Sequence, residues 1–484
     1  MITNHVYEVG AARADITPPI GIRLVGYAVR EGVSQAVDEP LTATVLVIRA
    51  AEQTVALISL DIVMISVEVA DQLRQACAEV LGTSMASVLV NCSHSHSSPC
   101  IHEYSSINTR EQLELQKAFR QLVLDQCVEA IHRAAADLKL ARIATGWGQC
   151  DGNINRRQKG PDGNVLLGED PNGPCDHSVG VIRIDDLEGQ PIAIVYRYSC
   201  HTVTLGPKTN VISPDFIGPA RQLIESSLHC PSLFLQGCAG NINPASGIGQ
   251  DHEGKEDMLR LGHMLGSEVL KVAQNLRTHR KRGKPKLVQS VAMYWLYEYE
   301  QIPSGSQGRI QCSEHRMELP LAPFPDLDEV EQERQQWADK LAKARNSGER
   351  EWNINPLLHF DAWAQRRLEA AERCPNPLRI SFPVQVIDID GLQIVALPFE
   401  PMAETGLALR QQIGADTFII GYSNGTISYL PTPQINTEGG MESKLGYKSY
   451  LLSSEVPGQW EPAIQQKVLQ LSAKTKDLEP CQTI

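Results

Sequence analysis

Two histidines separated by one residue, His94 and His96, carry the clearest chemical signal in the sequence. They lie between Asn91 and Pro99, directly after the apolar run at residues 86–90, which is typical of a buried strand. Side chains two positions apart on an extended chain point the same way, so both imidazoles can face one site. Neutral imidazole is a common zinc ligand, but a catalytic zinc site needs about three protein ligands. A polar turn with two exposed histidines fits the same residues.

Other candidates follow strand-like segments later in the chain. His201 ends an apolar run, although a single histidine there is more often a hydrogen-bonded core residue. Glu400 stands between two prolines after a strand-like run, where it could cap the next helix or bind a metal. Residues 236–244 contain two glycines and two asparagines, which predicts a tight turn. Exposed amides in that turn could bind an oxyanion, or the loop could have no chemical role.

Composition limits the class of partner. The chain has 484 residues and a net charge of −13, which argues against a nucleic-acid partner. We expect no stable membrane association, because the sequence has no long apolar run and no basic amphipathic helix. The 12 cysteines are scattered and the start lacks a leader pattern, so we expect reduced thiols and a cytoplasmic protein.

Strand-like and helix-like segments alternate, which predicts an α/β fold with a mixed sheet and flanking helices, in one domain over residues 1–484. The strand patterns cover residues 41–49, 55–59, 181–184, 192–198, 288–297 and 380–389. The helical patterns cover residues 67–80, 113–138, 217–228, 259–276 and 461–471. Residues 326–371 are rich in charged residues, Gln and Ala. We expect two exposed helices there, interrupted near 346–348 and 353–356, that form an insertion or a lid.

Taken in order, several segments resemble the neutral/alkaline ceramidases, at the level of their N-terminal catalytic domain. The matching segments are Val9 to Pro19, Asn91 to Pro99, Gln236 to Pro244, and Tyr429 to Thr432. The most specific is Ser-His-x-His-Ser-x-Pro, here Ser93 to Pro99, and the resemblance runs from about residue 8 to about residue 450. It implies a ceramidase-like catalytic α/β domain that carries the helical insertion.

The resemblance also implies a metal site with one zinc ion per chain. Its ligands would be His94, His201, Glu400 and Tyr429, a donor set that Mn²⁺ or Fe would also accept. His96 corresponds to a catalytic histidine beside the metal. Arg156 corresponds to an arginine that contacts the substrate or its oxyanion. Asp61 could orient a histidine ligand from the outer shell.

Departures from the family pattern affect the expected substrate. Asn243 stands where the family carries its proposed catalytic serine, and Thr437 replaces a tyrosine. We also expect no β-rich C-terminal domain and no export signal. Zinc can lower the pKa of water and polarise a carbonyl without a serine. We therefore expect a zinc-dependent amidohydrolase that acts on a small soluble, linear amide rather than on long-chain ceramide, with Arg156 and Asn243 holding polar groups of the substrate.

Two alternatives remain open from the sequence. The same metal could serve a hydrolase of esters, lactones or sugars, or a lyase. The chain could also be a non-catalytic, metal-binding homologue. The intact set of candidate ligands favours an enzyme, because a decayed enzyme tends to lose ligands as well.

Overall fold

The structure, a computed structural model, describes residues 5–101, 109–249, 252–289, 294–303 and 305–477. The strands are β1 (Tyr7–Asp15), β2 (Ala36–Val37), β3 (Thr42–Ala50), β4 (Gln53–Leu60), β5 (Val88–Cys92), β6 (Lys139–Gln149), β7 (Asn153–Lys159), β8 (Val165–Asp170), β9 (Ser178–Asp186), β10 (Pro191–Tyr198), β11 (Val211–Ile212), β12 (Ser232–Gln236), β13 (Ile242–Pro244), β14 (Arg280–Gln289), β15 (Tyr294–Gln301), β16 (Ile310–Pro320), β17 (Arg379–Ile389), β18 (Leu392–Ala396), β19 (Glu400–Pro401), β20 (Phe418–Ile420) and β21 (Tyr429–Leu430). The helices are α1 (Val67–Leu81), α2 (Arg110–Ala136), α3 (Ile217–Leu228), α4 (His252–Asn275), α5 (Leu327–Asn346), α6 (Glu351–Arg373), α7 (Ala403–Ile413), α8 (Pro433–Glu438), α9 (Met441–Lys444), α10 (Gly446–Ser449) and α11 (Trp460–Asp477).

The largest sheet has eight strands in the order β12-β10-β9-β6-β1-β3-β4-β5. Its two end pairs, β10 with β12 and β4 with β5, are parallel, and the pairs between them are antiparallel. The two edges approach each other, because Asn91 Oδ1 accepts a hydrogen bond of 2.8 Å from the Gln236 amide. The segments that follow β5, β10 and β12 therefore meet at one end of the sheet.

Helices and a second sheet cover the two faces of this large sheet. Helices α1 and α2 pack on one face, where Leu73 and Phe119 meet Val45 and Ile58. Helices α3 and α4 cover the part formed by β9, β10 and β12. The opposite face packs on a four-stranded sheet, β16-β17-β18-β20. Burial of apolar side chains on both faces is the main force that holds these layers together.

The second sheet is covered in turn by α7 and α11, which bury Leu409 and Ile464 against its outer face. The expected mixed α/β fold with flanking helices is therefore confirmed. The sequence patterns did not predict that two sheets stack on each other. Within the described residues, no helix combines the length and the apolar character needed to cross a membrane.

Two local expectations are wrong. Residues 288–297 are not one strand, since β14 and β15 pair as antiparallel strands and residues 290–293 between them lie outside the described residues. An alternating pattern looks the same on both arms of a hairpin, so it does not reveal the reversal. Residues 353–356 do not interrupt a helix: Pro356 lies in the second turn of α6, where its ring disturbs few helical hydrogen bonds.

The helices of residues 326–371 are not both exposed. Helix α5 is mostly solvent-exposed, but α6 buries five side chains, including His359 and a fully enclosed Trp363. The Trp363 ring lies edge-on to Tyr447 of α10, with 5.8 Å between ring centroids. Helix α6 is thus part of the packed structure.

Candidate metal centre and cavity

The loop after β5 holds His94 and His96 in fixed positions. His94 has a left-handed backbone conformation with φ of 63°, which is uncommon for a residue with a side chain. Its amide donates a hydrogen bond of 3.0 Å to Ile62 O, and the His96 amide donates one of 3.1 Å to Thr202 O. These bonds fix the loop against the segment that contains His201.

The Nδ1 atoms of two histidines are engaged by backbone carbonyls. His94 Nδ1 lies 2.8 Å from Val63 O, and His201 Nδ1 lies 2.7 Å from Ala239 O. Since a carbonyl only accepts, both rings carry a proton on Nδ1 and, when neutral, present a lone pair on Nε2. Burial lowers the pKa of His94 to about 4, which keeps its ring neutral near pH 7.

Three imidazoles and one carboxylate converge. One ring nitrogen from each of His94, His96 and His201 lies within 4.8 Å of the others, so this group could hold a metal ion. His96 Nε2 is 3.1 Å from His94 Nε2. Glu400 Oε2 is 3.2 Å from His201 Nε2 and 3.5 Å from His94 Nε2. Imidazole nitrogens and a carboxylate are ligands that zinc accepts, so this donor set fits zinc or a similar ion.

Glu400 is supported by tyrosines. Tyr422 donates a hydrogen bond of 3.0 Å to Oε2, and Tyr450 donates one of 2.5 Å to Oε1. Burial alone would raise the pKa of Glu400, but His94, His201 and Tyr450 lower it to about 2, so the carboxylate is charged. The parallel pairing of β19 with β21 places Tyr429 beside Glu400.

Arg156 connects the two halves of this site. The pairing of β7 with β13 sets Ile154 opposite Asn243, and Arg156 Nη1 lies 3.3 Å from both Asn243 Oδ1 and His201 Nε2. Its Nη2 donates a hydrogen bond of 3.2 Å to the Tyr429 hydroxyl. Although burial opposes it, the neighbouring acidic groups raise the pKa of Arg156, which therefore remains charged.

The sequence of the chain matches a family model described as "Neutral/alkaline non-lysosomal ceramidase, N-terminal", over residues 7–295 of 484. The chain belongs to this ceramidase family. The matched range contains the three histidines and Arg156, whereas Glu400 and Tyr429 lie beyond it. Their place beside the histidines is thus an observation of the structure.

Individual ceramidases are similar over part of their length. Neutral ceramidase A of Dictyostelium discoideum is 28% identical over 269 residues, which cover 52% of this chain and 37% of that protein. The neutral ceramidase of Pseudomonas aeruginosa is 24% identical over 255 residues, which cover 49% of this chain and 37% of that protein. The chain therefore spans well under half the length of these curated relatives.

Solved ceramidase structures have the same fold. A structure titled as neutral ceramidase from Pseudomonas aeruginosa superimposes with a TM-score of 0.68 and 18% identity, over 99% of this chain and 75% of that chain. A structure titled "Ceramidase complexed with C2" gives a TM-score of 0.70 and 17% identity, over 99% and 76% of the two chains. The ceramidase-like α/β fold expected from the sequence is confirmed.

The structure shows what surrounds Asp61, Thr437 and the loop at residues 236–244. Asp61 does not contact a histidine; its carboxylate pairs with Arg221 at 2.7 Å, and backbone carbonyls hold the histidine rings instead. Thr437 is exposed on α8, where its hydroxyl bonds to Pro433 O at 3.0 Å, because the helical turn directs it away from the site. The loop at residues 236–244 is buried, and the amides of its two glycines donate to backbone carbonyls.

Sequence reasoning missed several residues of the site. Tyr422 and Tyr450 hold Glu400, and Glu442 accepts hydrogen bonds from Arg156 at 3.0 Å and from Arg157 at 2.6 Å. Tyr422 lies in a Gly-Tyr-Ser-Asn-Gly segment. A tyrosine within such a tight polar turn was the sequence feature that could have marked it as a site residue. Glu442 and Tyr450 lie on and after short helices whose pattern gives no such signal.

A cavity of about 130 Å³ opens beside the histidine cluster and Glu400. The site residues that line it are His94, His96, Glu400 and Tyr429, together with Tyr450. Much of the remaining lining is apolar, from Leu24, Val25, Val63, Met64, Phe360 and Met441. Arg156, His201 and Asn243 are buried and are not among the residues that line this cavity.

Proposed function

We propose that the chain is a zinc-dependent hydrolase that cleaves an amide bond. The observation that carries the proposal is the convergence of three imidazoles and Glu400 beside an enclosed, largely apolar cavity. Family membership supports the reaction class, since the named relatives are ceramidases and ceramide is an amide.

We propose His94, His201, Glu400 and Tyr429 as the residues that hold one zinc ion. Two nitrogen and two oxygen donors are an acceptable zinc set. The backbone carbonyls on His94 and His201 fix both rings with Nε2 towards the ion. The Tyr422 and Tyr450 hydroxyls fix the carboxylate in the same way. Bound zinc would supply a Lewis acid for the scissile carbonyl and lower the pKa of water.

His96 is the proposed proton carrier. Its ring lines the cavity, its Nε2 faces the zinc ligands, and its buried Nδ1 has no hydrogen-bond partner among the described residues. Burial, with His94 and His201 nearby, lowers the pKa of His96, so the ring is neutral at pH 7 and can accept a proton from the attacking water. The same ring can then donate that proton to the leaving amine.

Arg156 and Asn243 are proposed mainly to orient other residues of the site. Arg156 donates to Tyr429 and to Asn243, and Glu442 neutralises it from behind. Asn243 therefore orients Arg156, and Arg156 orients the Tyr429 phenol. This arrangement needs no serine nucleophile at position 243.

The preferred substrate is an amide with a short or medium apolar acyl group, rather than long-chain ceramide. The apolar lining suits such a group, and the volume of about 130 Å³ is close to that of the roughly 150 Å³ cavity that accepts benzene in an engineered protein. Long-chain ceramide is the second candidate, favoured by the names of the relatives. Hydrolysis rates for N-acyl amides with acyl chains from two to sixteen carbons would distinguish the two.

The proposal is tested by metal content and turnover together. Protein purified without added metal should contain about one zinc per chain and release a fatty acid from an N-acyl amide. His201→Ala should lose both the zinc and the activity, whereas His132→Ala, an exposed position on α2, should lose neither. Undiminished zinc in His201→Ala would refute the ligand set, and zinc-loaded wild type with no turnover on the whole series would refute the enzyme.

Residues 326–371 are proposed to act as a lid within a single catalytic domain. Helix α6 contributes His359 and Phe360 to the cavity lining, while α5 lies outside it and is largely exposed.

The state of the cysteines is the basis for a further proposal, that the protein is cytoplasmic. The 11 cysteines of the described residues are free thiols, and titration of the denatured protein should find them reduced.

A further inference from the structure

We propose that Arg23 binds an anionic group of the substrate, so that the amide cleaved here carries a carboxylate. The inference rests on the proposed amide hydrolysis and adds the chemical class of the substrate. The residue lines the same cavity as His94, His96 and Glu400. Nothing in the family match assigns a role to it.

Hydrogen bonds fix the backbone of Arg23, whereas its side chain makes none to the described residues. The flanking residues Ile22 and Leu24 are buried, and the Arg23 amide donates a hydrogen bond of 2.8 Å to Gln112 Oε1 on α2. Gln112 Nε2 donates in turn to Gly21 O, also at 2.8 Å. The guanidinium therefore projects from a fixed point of the cavity wall.

The donors of this guanidinium are unused within the described residues. Arg23 Nε is buried without a hydrogen-bond partner, and the side chain has no ion pair within 4.0 Å. Glu351 is close enough to favour the charged form, but its carboxylate accepts a hydrogen bond from the Gly32 amide at 3.2 Å. Burial lowers the pKa of Arg23, which is the sign of a partly desolvated charge.

The charges around the cavity leave this cation uncompensated. Two arginines, Arg23 and Arg30, and one carboxylate, Glu400, are found among the described lining residues. Arg30 is occupied, because its Nη atoms donate to three backbone carbonyls, those of Val25, His96 and Gly206. Glu400 is occupied by the histidines and tyrosines. Arg30 lacks a partner only at Nε, whereas the guanidinium of Arg23 makes no hydrogen bond to any described residue.

A desolvated guanidinium without a partner is costly, and a carboxylate is the group that compensates it best, through two parallel charge-assisted hydrogen bonds. A neutral hydroxylated head group would offer weaker acceptors and no charge. The cavity therefore favours an acylated amino acid, with an apolar acyl group and a free carboxylate, over a neutral N-acyl alcohol.

A matched pair of substrates tests this inference. Hexanoylglycine carries the carboxylate, and hexanoylglycinamide is its neutral counterpart of nearly the same shape. Hexanoyl-β-alanine and 4-(hexanoylamino)butyrate, each with its neutral amide, vary the distance from the scissile bond. We expect the zinc-loaded wild type to prefer at least one acid over its neutral partner by about 10- to 100-fold in kcat/KM, the range of a hydrogen bond to a charged group.

Two variants test whether Arg23 is the residue that causes the preference for the acid. Arg23→Gln should abolish the preference for the acid, so that the ratio of kcat/KM for the acid to kcat/KM for its neutral amide falls to about one. Arg350→Gln, an exposed arginine that pairs with Glu31 at 3.0 Å outside the cavity lining, should keep the preference. Equal rates on acid and neutral amide, or a preference that survives in Arg23→Gln, would overturn the inference while leaving amide hydrolysis intact.

Measurements of binding test the anion site independently of the proposed amide hydrolysis. Calorimetric titration of the same acids into the full chain with His96→Ala, which should bind without turnover, should give a tighter Kd than titration of the neutral amides. The double variant with Arg23→Gln should lose the difference. Arg23-dependent binding of an acid that the wild type does not cleave would refute the hydrolase and support the anion site; equal binding of acid and amide would refute the anion site.

Discussion

The candidate site has two unlike parts. One is the ligand cluster, His94, His96, His201 and Glu400, whose polar atoms are mostly held by backbone carbonyls and phenols. The other is the recognition wall, which comprises Arg23, His359, Phe360 and Met441 from a loop and two helices. The ligand cluster is fixed by the sheet ends, as the proposed metal chemistry requires. The wall contains the unpaired guanidinium, where a substrate could be selected without changing the proposed metal ligands.

The largest effect is expected from His96, the one histidine of the ligand cluster that is not proposed as a ligand. Since His96 Nδ1 has no partner among the described residues and its Nε2 faces the ligands, the ring is free to carry a proton. His96→Ala should lower kcat by about 10²- to 10⁴-fold, the scale of a general acid–base group. The measurement is steady-state kinetics on the best amide of the acyl series.

Zinc content decides between the two possible roles of His96. A proton carrier can be removed with the metal retained, so His96→Ala should still contain about one zinc per chain. Loss of zinc together with activity would make His96 a ligand, which its position within 4.8 Å of the other ring nitrogens also allows. Unimpaired turnover would contradict both roles.

The second prediction concerns the carboxylate behind the ligand cluster. Glu442, only 2% exposed, accepts hydrogen bonds from Arg156 and Arg157, so Glu442→Gln leaves two buried guanidinium groups with weaker compensation. Removing one partner of a buried ion pair costs about 3–5 kcal/mol in free energy of unfolding. Denaturant unfolding should show a loss of that order.

Glu438 provides the matched control for Glu442. It also pairs with Arg157, at 3.2 Å, and with Lys159, but its side chain is 22% exposed. A partly exposed ion pair contributes about 0–1 kcal/mol, so Glu438→Gln should change stability little. Equal losses in the two variants would show that burial of Glu442 is not what makes it important.

The difference between the two parts also explains what the sequence could predict. His94 and His201 follow regular buried strands, so the apolar pattern made both of them candidates, and the family resemblance then implied that they are ligands. Glu442 and Tyr450 lie on or beside helices of four residues, too short to produce a periodic pattern. Their place depends on how distant segments pack: Tyr450 is 50 residues from Glu400, and Glu442 is 286 residues from Arg156.

The sequence did not predict the stacking of the two sheets, for a related reason. Strands buried on both faces read as continuous apolar runs, as in Ile394 to Leu397, and such runs do not say what covers each face. The same limit applies to α6, whose polar composition suggested exposure. Its buried face is formed by Asn355, His359 and Trp363, which are not a simple apolar stripe.

The third prediction tests whether the loop that carries Arg23 also positions the ligand cluster. Gly26 has a φ of 101°, and a Cβ there would overlap the His96 ring. Gly26→Ala should therefore displace His96 and lower kcat, by up to about 10²-fold for a shift near 1 Å. Zinc content should stay at about one per chain, because His96 is not a proposed ligand.

Gly21→Ala is the control that distinguishes steric overlap with His96 from strain in the backbone. Its φ of 94° is nearly the same, but a Cβ there would meet nothing within 4 Å. Gly21→Ala should thus cost similar stability from the unfavourable backbone conformation and leave kcat near the wild-type value. A similar fall in kcat in both variants would show that the loop conformation, and not contact with His96, controls the rate.

The smallest effect is expected from the phenol that joins the two parts. Tyr450 lines the cavity and donates a hydrogen bond of 2.5 Å to Glu400 Oε1. Outer-shell groups of metal ligands typically contribute about 10- to 100-fold to metal affinity. Because Tyr422 still holds the other oxygen of Glu400, Tyr450→Phe should weaken zinc binding by about 10-fold, at the lower end of that range, when measured by competition with a chelator.

Tyr447 is the control for Tyr450, since it is a tyrosine three residues earlier in the chain, on α10. Its ring packs against Trp363, and it is not among the groups that contact Glu400. Tyr447→Phe should therefore leave zinc affinity unchanged. A larger loss in Tyr447→Phe than in Tyr450→Phe would mean that packing of α6 and α10, rather than the hydrogen bond to Glu400, links the recognition wall to the ligand cluster.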